Sequence, residues 1–171
     1  MSPRRLLSSL ILVAAIATPT TAGPDKVAFP SGYKNHVLYA TVDRPDNKTV
    51  RDLYASPEAA RAARPGQPLP DGTVLTIEVY KAKVDEKGEP VKDANTRLVR
   101  TPELVGVFVM EKRRGWGAEY PETLRNGEWE YARFTATGEP APNFNARPCF
   151  ECHKPMSQQD FVFSLPKLTS R

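Results

Sequence analysis

The five residues Cys149–His153, which read CFECH, constrain this chain more than any other feature of its sequence. They match the CxxCH signature for covalent attachment of a c-type haem, and they contain both cysteines and one of the two histidines in the chain. Each thiol can add to one haem vinyl group while the adjacent imidazole reaches the iron from the same side. The sequence therefore predicts one haem c, held by Cys149 and Cys152, with His153 as the proximal iron ligand.

Two other interpretations of the motif stay open at this point. A structural zinc ion takes about four ligands, and the chain has no further cysteine to complete a thiolate-rich set. A thioredoxin-like redox pair is expected near a βαβ pattern, which the sequence does not show. Haem attachment is the favoured interpretation.

The N-terminus has the pattern of a secretory signal. Arg4 and Arg5 precede an apolar run at residues 6–17, and small residues at 20–22 offer a cleavage site. We expect residues 1–22 to be removed and residues 23–171 to form one monohaem domain. The run is short for a membrane span, so a retained anchor is the weaker alternative. Haem attachment to CxxCH follows export, and both features predict the bacterial periplasm.

The charge of the chain gives no sign of a nucleic-acid partner. Removal of residues 1–22 takes away two of the 24 basic residues and none of the 20 acidic ones, which leaves a small positive balance. Two ionised haem propionates would cancel it. There is also no basic stripe with interleaved aromatic residues, so we expect no nucleic-acid binding.

Hydrophobic alternation predicts a small sheet. Four stretches have the β-branched and aromatic content of strands: residues 37–42, 73–83, 104–111 and 128–135. Their connections are too short for parallel crossovers with full helices, so the sheet should be mainly antiparallel. The fold class predicted is α+β and β-rich, with short helices and C-terminal c-type haem attachment.

The connections carry signals of their own. Residues 56–63 predict a short helix, with Ser56 as cap and Pro57 at the first helical position. The polar stretch 85–96 predicts a long hairpin loop, and residues 121–124 a helical turn. Small electron-carrying cytochromes are helical and usually carry CxxCH near the mature N-terminus, so this order predicts a different haem fold.

Several segments resemble the cytochrome P460 family. They are DLYASPEAA at 52–60, MEKRRGWGAEYPETLRNGEWEY at 110–131, and CHKP followed by DFVF after the haem motif. The resemblance implies an antiparallel-sheet domain, commonly a homodimer, with a proximal histidine and an open or weakly occupied distal site. The family contains hydroxylamine oxidases, with a haem–lysine cross-link and a distal glutamate. It also contains cytochromes c′-beta, which lack the cross-link, have phenylalanines over the iron, and bind nitric oxide and carbon monoxide.

Alignment to this family by eye puts Ile77 where the cross-linking lysine stands and Phe108 where the distal glutamate stands. An isoleucine cannot form the cross-link, and a phenyl ring cannot carry a proton. The resemblance thus implies an apolar distal pocket of the c′-beta kind. Lys81 and Lys83 are the alternative cross-link donors if the alignment is displaced.

Other residues are weaker candidates for the site. Met110 shares a strand face with Phe108 and is a possible sixth ligand, although core packing is its commoner role. His36 is more often a surface histidine, and Met156 should lie on the proximal side. Lys154 either pairs with a haem propionate or is solvated.

Two glutamates are candidates for a catalytic base. Alternation puts Glu78 on the face opposite Ile77, and Glu111 opens a charged run, so we expect both on solvated faces.

The function expected from these observations is binding of a small neutral gas, nitric oxide or carbon monoxide, for sensing, carriage or detoxification. Oxidation of hydroxylamine or nitric oxide is one alternative. A simple electron-transfer cytochrome with a second strong axial ligand is another, and a redox partner cytochrome is possible in either case.

Overall fold

The computed structural model of the protein describes residues 26–171, and the predicted secretory segment lies outside them. Within these residues the strands form a five-stranded sheet in simple sequence order. The strands are β1 (Val37–Arg44), β2 (Thr49–Ala55), β3 (Val74–Ala82), β4 (Arg100–Lys112) and β5 (Trp129–Phe134). All neighbouring pairs are antiparallel, which confirms the β-rich α+β class.

The helices are short and mostly C-terminal. They are α1 (Pro57–Ala62), α2 (Arg147–His153) and α3 (Leu165–Thr169), with a 3₁₀ segment at Lys154–Gln159 directly after α2. None of the helices within residues 26–171 has the length and apolar character needed to span a membrane. The prediction for α1 is confirmed, but the Ser56 hydroxyl caps no helical N–H. It accepts from Val74 N at 3.4 Å instead.

Strand β2 was missing from the sequence prediction, which had four strands. Arg51 and Asp52 stand side by side in its middle and break the alternation of a half-buried strand. Asp52 is buried because it accepts from the Thr41 hydroxyl at 2.7 Å and pairs with Arg100. Polar partners on other strands, Thr41 of β1 and Arg100 of β4, therefore allow this charged segment to lie inside the sheet.

The connections agree with their predictions. Residues 85–96 form the predicted link between β3 and β4, and Asp85 and Asp93 each turn the chain by accepting two backbone N–H groups. Residues 121–124 form the predicted helical turn, in which Pro121 O accepts from Leu124 N at 2.9 Å and from Arg125 N at 3.0 Å.

Both faces of the sheet are covered. The C-terminal helices pack on one face, where Leu75, Met110 and Tyr131 meet Phe150 and Leu168. The N-terminal segment packs on the other face, in a cluster that includes Val27, Tyr33, Val107, Val109 and Phe134. Strands β3 to β5 are thus buried on two sides, as in an interior sheet.

This arrangement corrects the expectation for the two glutamates. Glu78 is 1% exposed and Glu111 is 8% exposed, so neither lies on a solvated face. Glu78 does oppose Ile77, but its face is covered by the N-terminal segment. Tyr33 and Tyr54 donate their hydroxyls to its two oxygens at 2.7 and 3.0 Å, and Lys34 pairs with it.

These donors decide how Glu78 titrates. Burial alone would raise the pKa of its carboxyl, but the hydrogen bonds from Lys34, Tyr33 and Tyr54 outweigh burial and lower it. A carboxyl whose pKa is lower in the folded protein than in the unfolded chain stabilises the fold at pH values above its unfolded-state pKa. That stabilisation is lost as the pH falls through the pKa of the folded state.

We predict that Glu78→Gln lowers the free energy of unfolding at neutral pH by about 1–3 kcal/mol, because an amide offers one acceptor oxygen where two tyrosines donate. Urea unfolding as a function of pH checks this. The difference in unfolding free energy between the variant and the native protein should shrink as the pH falls below 4.5, the ordinary pKa of the Glu78 carboxyl. Glu86→Gln, on an exposed loop, is the matched control. A pH-independent difference would contradict this role for the Glu78 charge.

Candidate haem-binding site

A cleft lies between the C-terminal helices and the sheet. It consists of two adjoining cavities of about 250 and 470 Å³, and both are lined by Arg51, Ile77, Met110, Cys152 and His153. Volumes of this size are typical of sites for small molecules and cofactors. Its walls are mainly apolar, so it suits a flat hydrophobic ligand with few polar groups.

Helix α2 places the CxxCH side chains on one wall of this cleft. Cys149 and Cys152 are three residues apart and Cys149 and His153 four apart, so all three project from the same helical face. Phe150 projects from the opposite face and is fully buried between Tyr120 and Tyr131, with ring centroids 4.9 and 4.8 Å away. Burial of this ring fixes the rotation of α2 and hence the direction of the motif.

A hydrogen bond orients the imidazole of His153. Its Nδ1 donates to the carbonyl oxygen of Phe161 at 2.6 Å, since a carbonyl can only accept. Burial lowers the pKa of His153, which keeps the ring neutral. The Nε2 lone pair is therefore available to a metal, and this arrangement is the usual support for a ligating histidine. The rings of Tyr131 and Phe163, both 5.0 Å away, flank the imidazole.

The backbone at Asp160 and Phe161 is turned so that this carbonyl reaches the histidine. Both residues have left-handed backbone conformations, with φ of 50° and 60°. Such conformations cost about 1–2 kcal/mol per residue outside glycine, so other contacts must hold them. The Asp160 carboxylate supplies these contacts. It accepts from Leu69 N at 2.8 Å and from Lys112 Nζ at 2.9 and 3.0 Å.

The Cys149 thiol lacks the character of a redox-active thiol. Both cysteines are free. Burial, together with the neighbouring Cys152, raises the pKa of the Cys149 thiol to about 11. Redox-active CxxC thiols have lowered pKa values instead. Nor does any group of three or more histidine, cysteine, aspartate or glutamate side chains within residues 26–171 come together as a metal site, which disfavours zinc.

The sheet wall opposite the motif carries the two predicted distal residues. Ile77 of β3 and Phe108 of β4 face each other in the strand register, and both line the cleft. The Arg133 guanidinium lies over the Phe108 ring at 5.3 Å. Met110, two residues further along β4, lines both cavities and is 6% exposed, so it too is at the cleft wall.

Three lysines named from the sequence lie away from these walls. Lys154 donates its ammonium to the backbone carbonyls of Glu122 and Arg125, at 2.5 and 2.6 Å. Lys81 is exposed and pairs with Glu103 at 2.6 Å, and Lys83 is exposed. Neither alternative cross-link donor lines the cleft.

The remaining ligand candidates also lie elsewhere. His36 precedes β1, and Met156 accepts a long hydrogen bond from Gln159 at its sulfur, 3.9 Å away. Neither residue lines either cavity.

The sequence prediction missed Arg51, which lines both cavities. It also missed Tyr39 of β1, which lines the larger cavity and shares a hydrogen bond of 2.7 Å with the Ser164 hydroxyl. Arg51 lies on β2, the strand whose sequence lacks the hydrophobic alternation of a half-buried strand. Because β2 was not predicted, nothing in the sequence indicated that Arg51 faces the cleft.

Comparison with known proteins agrees with this geometry. The family model for cytochrome P460 matches residues 30–164, and no curated protein matches the chain. The chain therefore belongs to the cytochrome P460 family. The family implies a c-type haem protein, and the donor set of the cleft fits that group: two thiols, a neutral imidazole with free Nε2, and apolar walls.

We predict that Asp160→Asn lowers the free energy of unfolding by about 3–5 kcal/mol, because it leaves the buried Lys112 ammonium without a counterion. Asparagine also tolerates the left-handed backbone, so the change isolates the charge. Urea unfolding measures the loss. Glu58→Gln, which breaks an exposed ion pair with Arg61, is the control and should lower the free energy of unfolding far less. Equal losses in the two variants would contradict a structural role for the Lys112–Asp160 pair.

Proposed function

We propose that this chain is an exported haem protein, with one haem c bound covalently in the cleft, that takes nitric oxide or carbon monoxide at an apolar distal site. One observation carries the proposal. The CxxCH side chains and a hydrogen-bonded neutral His153 line the same cleft as Ile77 and Phe108 of the sheet.

The chemistry of attachment needs only the two thiols and the two haem vinyl groups. Cys149 and Cys152 would each hold the haem through a thioether, formed by addition of the S–H across a vinyl group, which needs no oxidant. Burial keeps the Cys149 thiol neutral. His153 Nε2 would be the iron ligand, with the Phe161 carbonyl fixing the imidazole ring.

When bound, the haem iron supplies an open coordination position for a diatomic gas. Ile77 and Phe108 contribute no hydrogen-bond donor to a ligand and give their part of the cleft an apolar wall, which favours a neutral ligand there. Bound dioxygen is stabilised by a distal donor, whereas carbon monoxide and nitric oxide bind without one. The two side chains therefore favour these gases, in the manner of the c′-beta members of the family.

Hydroxylamine oxidation is less well supported. In this family it depends on a cross-linked lysine and a distal glutamate, and the aligned positions hold Ile77 and Phe108. Among residues 26–171, no acidic side chain lines either cavity, and the one lysine that does so is Lys167 of α3.

An electron-transfer cytochrome is the other alternative, and a specific observation favours it. Met110 is the one candidate for a second axial ligand that lines both cavities in the described chain. Ligation by Met110 would close the distal position and abolish binding of carbon monoxide.

The setting of the protein is also part of the proposal. Residues 1–22 would direct it to the periplasm, and we expect a homodimer and possible exchange of electrons with a partner cytochrome. These remain predictions from the sequence and the resemblance.

We predict that Phe108→Ala speeds association of carbon monoxide and nitric oxide with the ferrous protein, by about tenfold if the ring blocks the path of the ligand, a change of about 1.4 kcal/mol in the barrier. Flash photolysis or stopped-flow mixing measures the rate. Val105→Ala, an exposed residue of the same strand that lines neither cavity, is the matched control and should leave the rate unchanged. Equal rates in all three proteins would remove Phe108 from the path, and turnover of hydroxylamine with an electron acceptor would overturn the proposed function.

A further inference from the structure

Arg51 is a cation inside the cleft that no part of the haem motif explains. It lies on β2 and lines both cavities. In the strand register it pairs with Val79, which pairs with Gly106, and this row lies two residues along the strands from the row of Ile77 and Phe108. Its Nε is buried and has no hydrogen-bond acceptor within the described chain.

Within residues 26–171, no carboxylate pairs with Arg51. The nearby Asp46 is held by Arg44, through hydrogen bonds of 2.8 and 2.6 Å to its two oxygens. The amide oxygen of Asn47, in the orientation that satisfies its neighbours, accepts from the terminal nitrogen of Arg51 at 3.0 Å. An amide oxygen is neutral, so the guanidinium charge stays uncompensated.

Such an arrangement is costly without a further partner. Burial, together with the charge of Arg44, lowers the pKa of Arg51, which reports an environment unfavourable to the cation. A buried cation normally pairs with an anion or is hydrogen-bonded at every N–H. The guanidinium fork matches planar oxyanions, which it binds through two parallel hydrogen bonds.

We propose that Arg51 is the anion-binding residue of the cleft and takes a planar oxyanion, either a carboxylate of a haem propionate or a free anion such as nitrite. This inference rests on the haem proposed above. Charge balance favours the propionate. Arg51 lines both cavities with a buried Nε that has no acceptor within residues 26–171, and a haem bound there would bring two propionates.

The test compares Arg51→Gln and Arg51→Lys with the native protein and with Arg61→Gln. The control removes an arginine from the exposed face of α1, outside the cleft. Three quantities are measured on the purified haem proteins: the propionate bending bands in the resonance Raman spectrum, the midpoint reduction potential, and the affinity of the ferric protein for nitrite.

If Arg51 binds a propionate, Arg51→Gln shifts the propionate bands and lowers the reduction potential, because loss of a nearby positive charge favours the ferric state. Nitrite affinity then stays unchanged. Arg51→Lys keeps the positive charge but cannot form the two parallel hydrogen bonds of a guanidinium. Its reduction potential should therefore lie close to that of the native protein, while its propionate bands should stay shifted.

If Arg51 binds a free anion, nitrite affinity falls by about tenfold or more in Arg51→Gln while the propionate bands stay in place. If none of the three quantities in Arg51→Gln differs from its value in Arg61→Gln, the role of Arg51 is overturned. Native protein that loses its haem on denaturation would instead overturn covalent attachment, and with it the proposed function and this inference.

Discussion

The bond from His153 Nδ1 to the carbonyl of Phe161 is the interaction around which the site is arranged. It selects the tautomer that leaves Nε2 free, and it needs two successive left-handed residues to bring the carbonyl within 2.6 Å. Those residues are held because the Asp160 carboxylate binds Lys112 at the end of β4. The sheet therefore positions His153 through a charged contact, as well as through the packing of Phe150 and Leu168.

The second constraint is that the sheet has no solvated face over most of β3 to β5. The N-terminal segment covers one side and the C-terminal helices the other. Polar side chains in these strands must then be satisfied inside the protein. Glu78 meets this requirement with two tyrosines and a lysine, and Asp52 with Thr41 and Arg100. One face can thus be strongly polar and buried, while the other stays apolar enough for a haem.

The sequence was sufficient for the parts of the fold that depend on local pattern. Alternation located β1, β3, β4 and β5. Ile77 and Phe108 were predicted from alignment to the family, and the register of β3 and β4 in the structure places them opposite each other. The motif itself identified Cys149, Cys152 and His153, which line one cleft.

What escaped prediction depends on partners distant in the sequence. The alternation of side chains along a strand shows on which face Glu78 lies. It does not show that residues near Tyr33 cover that face. Strand β2 carries adjacent charged residues whose partners lie on β1 and β4. Arg51 belongs to that strand, and no local signal marks a half-buried guanidinium whose Nε lacks an acceptor.

The central claim is a covalently bound haem c with His153 as proximal ligand and an open apolar distal site. The most direct measurement is the absorption spectrum of the purified mature protein, ferric and ferrous, before and after addition of carbon monoxide. We predict a high-spin spectrum with an ordinary c-type Soret band that shifts when the gas binds. A low-spin spectrum indifferent to carbon monoxide would contradict the open site and point to Met110 as a ligand, and a strongly red-shifted ferrous Soret band would reveal a lysine cross-link instead.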